Sequence, residues 1–181
     1  MAIKKVLRIG EPSLLQVSKQ VVEFNTAWLD GLIEDLWDTM QVQNGAGLAA
    51  PQIGENFRVV VFGFEHNERY PDAPAIPPTV LINPKIEFIG HSMDEQWEGC
   101  LSVPGLRARV PRYRKIRYSG FDQQGEAFRR EVEDFHARVV QHECDHLDGV
   151  LYPQRVRDMR SLGFTEELTR SGQLEKQPCD D

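Results

Sequence analysis

Two histidines four residues apart flank a glutamate in the run Gln141-His142-Glu143-Cys144-Asp145-His146, and on a helix that spacing makes a chemical site. At about 3.6 residues per turn His142 and His146 lie one turn apart on a single face, so both imidazoles can reach one divalent cation with Glu143 beside them as a proton acceptor. The chain holds five histidines, His66, His91, His136, His142 and His146, and two of them fall at this spacing. The bland alternative is a solvated amphipathic helix on which the pair meets by accident. The pattern predicts metal-assisted hydrolysis, and it demands a third protein ligand elsewhere in the chain.

Cys100, in Glu98-Gly99-Cys100-Leu101-Ser102, is a candidate. Glycine before the thiol permits close backbone approach, and a thiolate is a strong soft ligand that a metal keeps deprotonated. A buried structural thiol is the competing reading, and the residues alone leave both open. A second small-residue run, Gly45-Ala46-Gly47-Leu48-Ala49-Ala50-Pro51-Gln52, lacks the spacing of a phosphate loop, and no Lys-Ser or Lys-Thr follows. By itself it is a turn after a helix, although its small residues would let a substrate backbone lie close, with Gln52 offering an amide donor.

The elements that must position these residues can be read from periodicity. The metal-bearing helix should begin near Phe135, capped by Asp134, and stop before Gly149. Trp28, Leu29, Leu32, Ile33, Leu36, Trp37 and Met40 recur at helical intervals and predict a helix over 26–42 capped by Asn25, its tryptophans packing rather than holding a cofactor. Residues 58–64, 80–89 and 115–121 read as strands and 122–125 as a turn, while 65–78, with Pro71, Pro74, Pro77 and Pro78, reads as a surface loop. Helix, then strands, then helix predicts an α+β fold rather than a doubly wound sheet.

Composition sets the outer bounds. A chain of 181 residues, 40% hydrophobic, supports one core and one domain. A formal charge of −7 disfavours indiscriminate binding to nucleic acid. The basic run 107–117 is the local exception, and it reads first as an exposed strand edge defended by charge and second as a dock for a large anionic partner. Three cysteines, Cys100, Cys144 and Cys179, suit a reducing compartment, with Cys179 an inert end residue in a polar tail. No apolar run is long enough for a secretory signal or a membrane span, so a soluble intracellular protein is expected.

Taken in order, the three runs closely resemble the signature motifs of the peptide deformylases, Gly-x-Gly-Leu-Ala-Ala-Pro-Gln, Glu-Gly-Cys-Leu-Ser and Gln-His-Glu-x-Asp-His. The resemblance extends from the N-terminal region to about Phe164, and the proline-bearing stretch 71–78 and a non-helical ending look like a type I relative with a longer loop. It implies a single α+β domain over 1–164, with antiparallel or mixed β-sheets packed around a central metal-binding helix, and a polar tail over 165–181. It implies that Cys100, His142 and His146 bind one divalent metal, Fe2+ in the cell, with Zn2+, Ni2+ or Co2+ able to replace it. Glu143 would take a proton from water and return it to the departing amine, while the Gln52 side-chain nitrogen and the Leu101 backbone N–H would steady the formyl oxygen.

The implied reaction removes the N-formyl group from the formyl-methionine of newly synthesised proteins and releases formate. Gly45, Ala46 and Gly47 would pair with the peptide like an added strand. Phe135, Arg138 and Val139 lie seven, four and three residues before His142 and would line the helix face leading from the metal, Arg138 giving only its stem. Ordinary core packing is the alternative for Phe135 and Val139. Glu98 joins the substrate-binding set, and Cys144, at the variable position, reads as packing. Expected partners are N-formyl-methionyl nascent peptides, with the ribosome a candidate, and neither a membrane nor a sequence-specific nucleic acid. The bacterial cytoplasm is the expected location, and a processed organelle form is also compatible. Two other readings compete. A zinc endopeptidase would use the same His-Glu-x-x-His chemistry, but such enzymes usually take a carboxylate or histidine as third ligand. A non-catalytic metal-binding or ribosome-associated module would need neither Glu143 nor Gln52.

Overall fold

A computed structural model of the chain describes residues 2–174. Helix α1 spans Ala27–Val42 and buries Leu29, Leu32, Ile33, Leu36 and Met40, the stripe that the apolar spacing predicts. Its cap is Thr26 and not Asn25. The Thr26 hydroxyl accepts from Leu29 N–H at 3.2 Å, whereas Asn25, at φ 56°, sends its amide to the Gln124 carbonyl. Trp28 stays 44% exposed, resting edge-on against Phe57, so it belongs to the rim of the core and not to its centre.

The chain then builds two antiparallel sheets. The larger has the order β1-β2-β3-β6-β7, made from Gly47–Ala49, Val59–Phe64, Ile76–Phe88, Lys115–Phe121 and Ala127–Glu133. The smaller has the order β4-β5-β8, made from Met93–Cys100, Val103–Tyr113 and Gly163–Phe164. Strand β3 begins at Ile76, so the surface loop ends earlier than its prolines suggest and Pro77 and Pro78 lie inside a strand. The β2–β3 register shifts between Phe62 and Phe64. Gly63 sits there at φ 132°, where a Cβ would come within 2.6 Å of Pro78 Cα. An irregular pairing and a bare glycine together admit residues that cannot donate to a ladder.

The basic run is an edge only in part, and a covered one. Strand β8 pairs with β5 at Leu106 and Arg107 alone. Ala108–Tyr113 pair with β4 on one side, Ser161 and Gln141 side chains bond Arg109 and Tyr113 on the other, and β6 lies inside the five-stranded sheet. Along β5 the alternation puts Ala108, Val110 and Arg112 on one buried face. Two cations of the run are balanced locally, Arg114 by Asp134 and Arg117 by Glu87 and Glu131, while the exposed Arg109 lies over the Trp97 ring.

Helix α2, Asp134–Leu147, packs Ala137, Val140, Cys144 and Leu147 against Phe62, Leu81, Ile116 and Tyr118. Asp134 does not cap it. The N-cap position is Glu133, with no side-chain bond, and the Asp134 carboxylate faces Arg114 Nε at 2.8 Å. The helix stops at Leu147, and Gly149 follows at φ 71°, where a Cβ would also lie 2.5 Å from the Leu15 carbonyl oxygen. Burial pushes the Cys144 thiol up, which suits a packing residue. Beyond β8 the chain forms a short helix α3, Thr165–Arg170, that buries Leu168, so the ending is helical where a non-helical one is expected. Cys179 lies outside the described residues. No helix among them is long and apolar enough to cross a membrane.

Candidate metal centre and substrate cleft

Cys100 is placed by the β4–β5 hairpin. The register shifts between Glu98 and Cys100, so that Cys100 pairs with Val103 across a turn at Leu101 and Ser102. That turn carries the thiol to α2, with Cys100 Sγ 3.3 Å from His146 Nε2. The ligand atoms of Cys100, His142 and His146 all lie within 4.8 Å of one another, a span that one ion could bridge. Ser102 N–H faces the sulfur at 3.4 Å and Gln52 Nε2 faces it at 3.6 Å. Burial by itself would raise the Cys100 pKa, but His146 and His142 outweigh it and hold the thiol well below its usual range. A thiolate and two imidazoles form a donor set suited to zinc, ferrous iron, cobalt or nickel.

Around this centre lies a buried ionic frame. Glu98 accepts two bonds from Arg112, Nε and Nη2, each at 2.9 Å, and one from Arg138 Nη1 at 2.7 Å. Its second oxygen meets His142 Nδ1 at 2.9 Å, which leaves Nε2 as that ring's available ligand atom. Arg112 continues to Asp145, on α2, at 2.6 Å, and Asp145 also takes Arg155 at 2.8 Å. Burial opposes the ionised form of Glu98, yet Arg112 and His142 prevail and keep its carboxyl well below the ordinary range. For His142, burial favours the neutral ring, while Cys100 and Glu98 outweigh it and raise the pKa well above the usual value.

Glu143 has the opposite environment. It is buried, its Oε2 has no hydrogen-bond partner, and burial lifts its pKa to about 7 against the partial opposition of His142 and His146. A buried polar atom without a partner costs about 1–3 kcal/mol, so this carboxylate is held ready for something the protein does not itself supply. The donor set and this orphaned oxygen both fit a bound metal with a reacting molecule beside it. Gly47 makes room for the arrangement, since a Cβ there would lie 2.6 Å from Glu143 Oε1 and 2.7 Å from its Cδ and Cγ.

Gly45, Ala46, Gly47, Gln52, Glu98, Cys100, Leu101, Phe135, Arg138, Val139, His142 and Glu143 line one small cavity. The residues singled out from sequence are thus brought together, joined by Arg69, Tyr70, Trp97 and Gly99. Gln52 is fixed by accepting from Ala49 N–H at 2.8 Å, and its amide also reaches Ser102 Oγ at 3.1 Å. Arg138 departs from expectation. Its guanidinium does not reach outward past an apolar stem but is buried on Glu98 and on the Val110 and Asp94 carbonyls.

A polypeptide deformylase family model matches residues 3–161. The chain is 60% identical to peptide deformylase 2 of Ralstonia nicotianae over 92% of its own length and 94% of that protein's. The same coverage holds for peptide deformylase 1 of Bordetella pertussis at 57% identity. The chain belongs to the polypeptide deformylase family. It is therefore a metal-dependent enzyme that removes the N-formyl group from nascent peptides, and the endopeptidase and non-catalytic readings fall away. Among solved structures, the Met-Ala-Ser complex of a class I type b peptide deformylase from Acinetobacter baumannii superposes with a TM-score of 0.83 at 38% identity, covering 86% of this chain and 99% of that one. An actinonin complex from Synechococcus elongatus gives 0.78 at 35% identity, covering 93% and 86%.

Several site residues lie outside the motifs or, like Asp145, are given no role by them. Arg112 and Asp145 form the ionic frame, and Tyr70, from the 65–75 loop, leans on Phe135 with ring centroids 5.0 Å apart. Asn67 ties that loop to the cleft by donating to the Asn44 and Gly45 carbonyls at 3.2 and 3.3 Å. The signal for Arg112 was present in its period-two spacing from Ala108 and Val110. No comparable pattern marks Tyr70.

Proposed function

We propose that Cys100, His142 and His146 hold the metal of this deformylase and that Glu143 is its general base and acid. The observation that carries the reading is a buried glutamate with a free oxygen and a pKa near 7, next to a thiol and two imidazoles within ligand range of each other. Bound there, the metal would supply a Lewis acid that makes water acidic enough to lose a proton near neutral pH. Glu143 accepts that proton and later delivers it to the departing amine. Gln52 Nε2 and the Leu101 N–H donate to the formyl oxygen as it gains charge. The Gly45–Gly47 backbone pairs with the peptide, and the methionine side chain enters the cavity beside Phe135 and Val139, an apolar slot suited to an unbranched thioether.

The reading extends to ferrous iron as the cellular metal, to a cytoplasmic location with ribosome-borne chains as substrate, and to 1–164 as the catalytic unit with 165–181 as an appendage. The thiolate and imidazole donors support iron without separating it from zinc, nickel or cobalt. The test is formate release from formyl-Met-Ala-Ser, with the unformylated peptide as control, by apo-protein reconstituted anaerobically with each metal. Iron should give the highest turnover and lose it in air, because ferrous ion and thiolate both oxidise. Cys100→Ala should fail to retain metal through dialysis. No formate under any condition would refute the assignment, and equal, air-stable activity with iron and zinc would refute the choice of metal.

A further inference from the structure

The cleft does not end at the thiol. From Cys100 and Leu101 it opens into a groove of about 1230 Å³ between the N-terminal segment and the outer side of β5. Backbone bonds fix the N-terminal wall to the site itself: Leu7 N–H donates to the Gln52 carbonyl at 2.8 Å and Ile9 N–H to the Ser102 carbonyl at 2.7 Å. Those bonds set Lys5 and Arg8, both exposed, along the groove. Arg69 and Arg107 also line it, and both lie beside Gly99, where a Cβ would meet Arg69 Nη2 at 3.4 Å and Arg107 Cγ at 3.5 Å. The lining also includes Glu166 and Glu167, the latter paired with Arg170, and Lys4, which is paired with Asp35 at 3.1 Å. The groove is therefore positive in a chain whose formal charge is −7. A concave wall of one sign focuses its field locally even against the field of the whole molecule.

We propose that this groove selects formylated chains with acidic side chains at their third to fifth residues, read by Lys5, Arg8 and Arg69. The proposal rests on the deformylase reading, since it takes the Cys100 end of the groove as the reacting end. A peptide held at its formyl group advances roughly 3.3 Å per residue, so residues three to five lie roughly 7 to 13 Å along the groove. Exposed charges are screened, so each acidic side chain should favour binding by about two- to threefold, and two by about fivefold.

The experiment compares formyl-Met-Ala-Ser extended by Glu-Glu, Gln-Gln or Lys-Lys, with formate release read as kcat and KM. In the wild type the Glu-Glu peptide should have a KM lower than the Lys-Lys peptide by about fivefold or more at similar kcat, and the gap should shrink at about 0.5 M salt. In K5E/R8E the order should invert. Equal KM values, or an acidic preference that survives K5E/R8E, would overturn the proposal. So would an absent peptide preference accompanied by competition from a single-stranded RNA oligonucleotide, which would make the groove an RNA surface. Formate from the Gln-Gln peptide without charge selection defeats this inference alone, whereas no formate from any peptide defeats the deformylase reading as well.

Discussion

Gly47→Ala isolates the geometry on which the proposed chemistry depends. Gly47 lies in β1 without a left-handed φ, so its backbone accepts alanine without strain. The new methyl would instead sit 2.6 to 2.7 Å from Oε1, Cδ and Cγ of Glu143, against about 3.5 Å for an ordinary contact, and the carboxylate would have to yield by roughly 0.8 Å. Glu143 is only 5% exposed and cannot simply swing into solvent. A misplacement of about 1 Å at a reacting group costs on the order of 100-fold, so kcat should fall about 10- to 100-fold with KM changing less. Crowding should also cost about 1–3 kcal/mol of stability, lowering Tm by roughly 3–10 °C. The assay is formate release by fully metal-loaded protein, with metal content and Tm measured on the same preparation. Gly31→Ala is the control, because a Cβ at Gly31 meets nothing within 4 Å in the interior of α1, so it should leave kcat unchanged and raise stability by about 0.5–1 kcal/mol. A metal-loaded G47A protein with kcat within about twofold of wild type would show that Glu143 need not hold its place, and the base assignment would fail with it.

Three further outcomes are expected. Glu143→Gln should retain its metal yet lose about 100-fold or more in kcat, because the amide keeps the shape and cannot carry the proton; near-normal turnover at neutral pH would remove Glu143 from the mechanism. Arg112→Met should cost about 3–5 kcal/mol, seen as a large drop in Tm, and weaken metal retention by about tenfold or more, since it strips Glu98 of its two-bond partner and loosens His142. An unchanged Tm would show that the frame is not structural. His136, lowered to about 4 by burial and then by Arg130, stays neutral where the unfolded chain, at about 6.5, takes up a proton. Its contribution is thus present above pH 6.5 and lost as pH falls toward 4, about 1–2 kcal/mol after discounting for its partial exposure. Denaturant midpoints of His136→Phe should fall less steeply over that range than those of the wild type, and parallel curves would contradict the linkage.

What could be read from the chain divides along a physical line. The meeting of His142 and His146 on one face of α2 was legible because helical spacing converts them directly into a shared direction, and the α1 stripe was legible for the same reason. Its cap was not, because Asn25 and Thr26 are both good caps and only the path of the incoming chain decides between them. The prolines of 77–78 argue against a strand until Gly63 and the β2–β3 irregularity are known, and both depend on the partner strand. The arginines of β5 look like surface charge because a buried arginine differs from an exposed one only in what lies opposite. Here Glu98 is fourteen residues away and Asp145 thirty-three, contacts that no local window contains.

The two glutamates of the site show why that frame would matter for the proposed chemistry. Glu98 and Glu143 are both buried, at 3% and 5% exposure, and burial alone would push both carboxyls up. Arg112 and Arg138 bind directly to Glu98, which keeps it ionised and bonded to His142 Nδ1. Glu143 receives no such partner on Oε2, so its pKa stays near neutrality, where a carboxylate can accept a proton and give it back. Moving one of those guanidinium groups to Glu143 would lower its basicity and leave Glu98 uncompensated next to His142, the proposed metal ligand. The division of labour therefore resides in the arginines of the frame, and the motif glutamates acquire their different chemistry from which of them the arginines can reach.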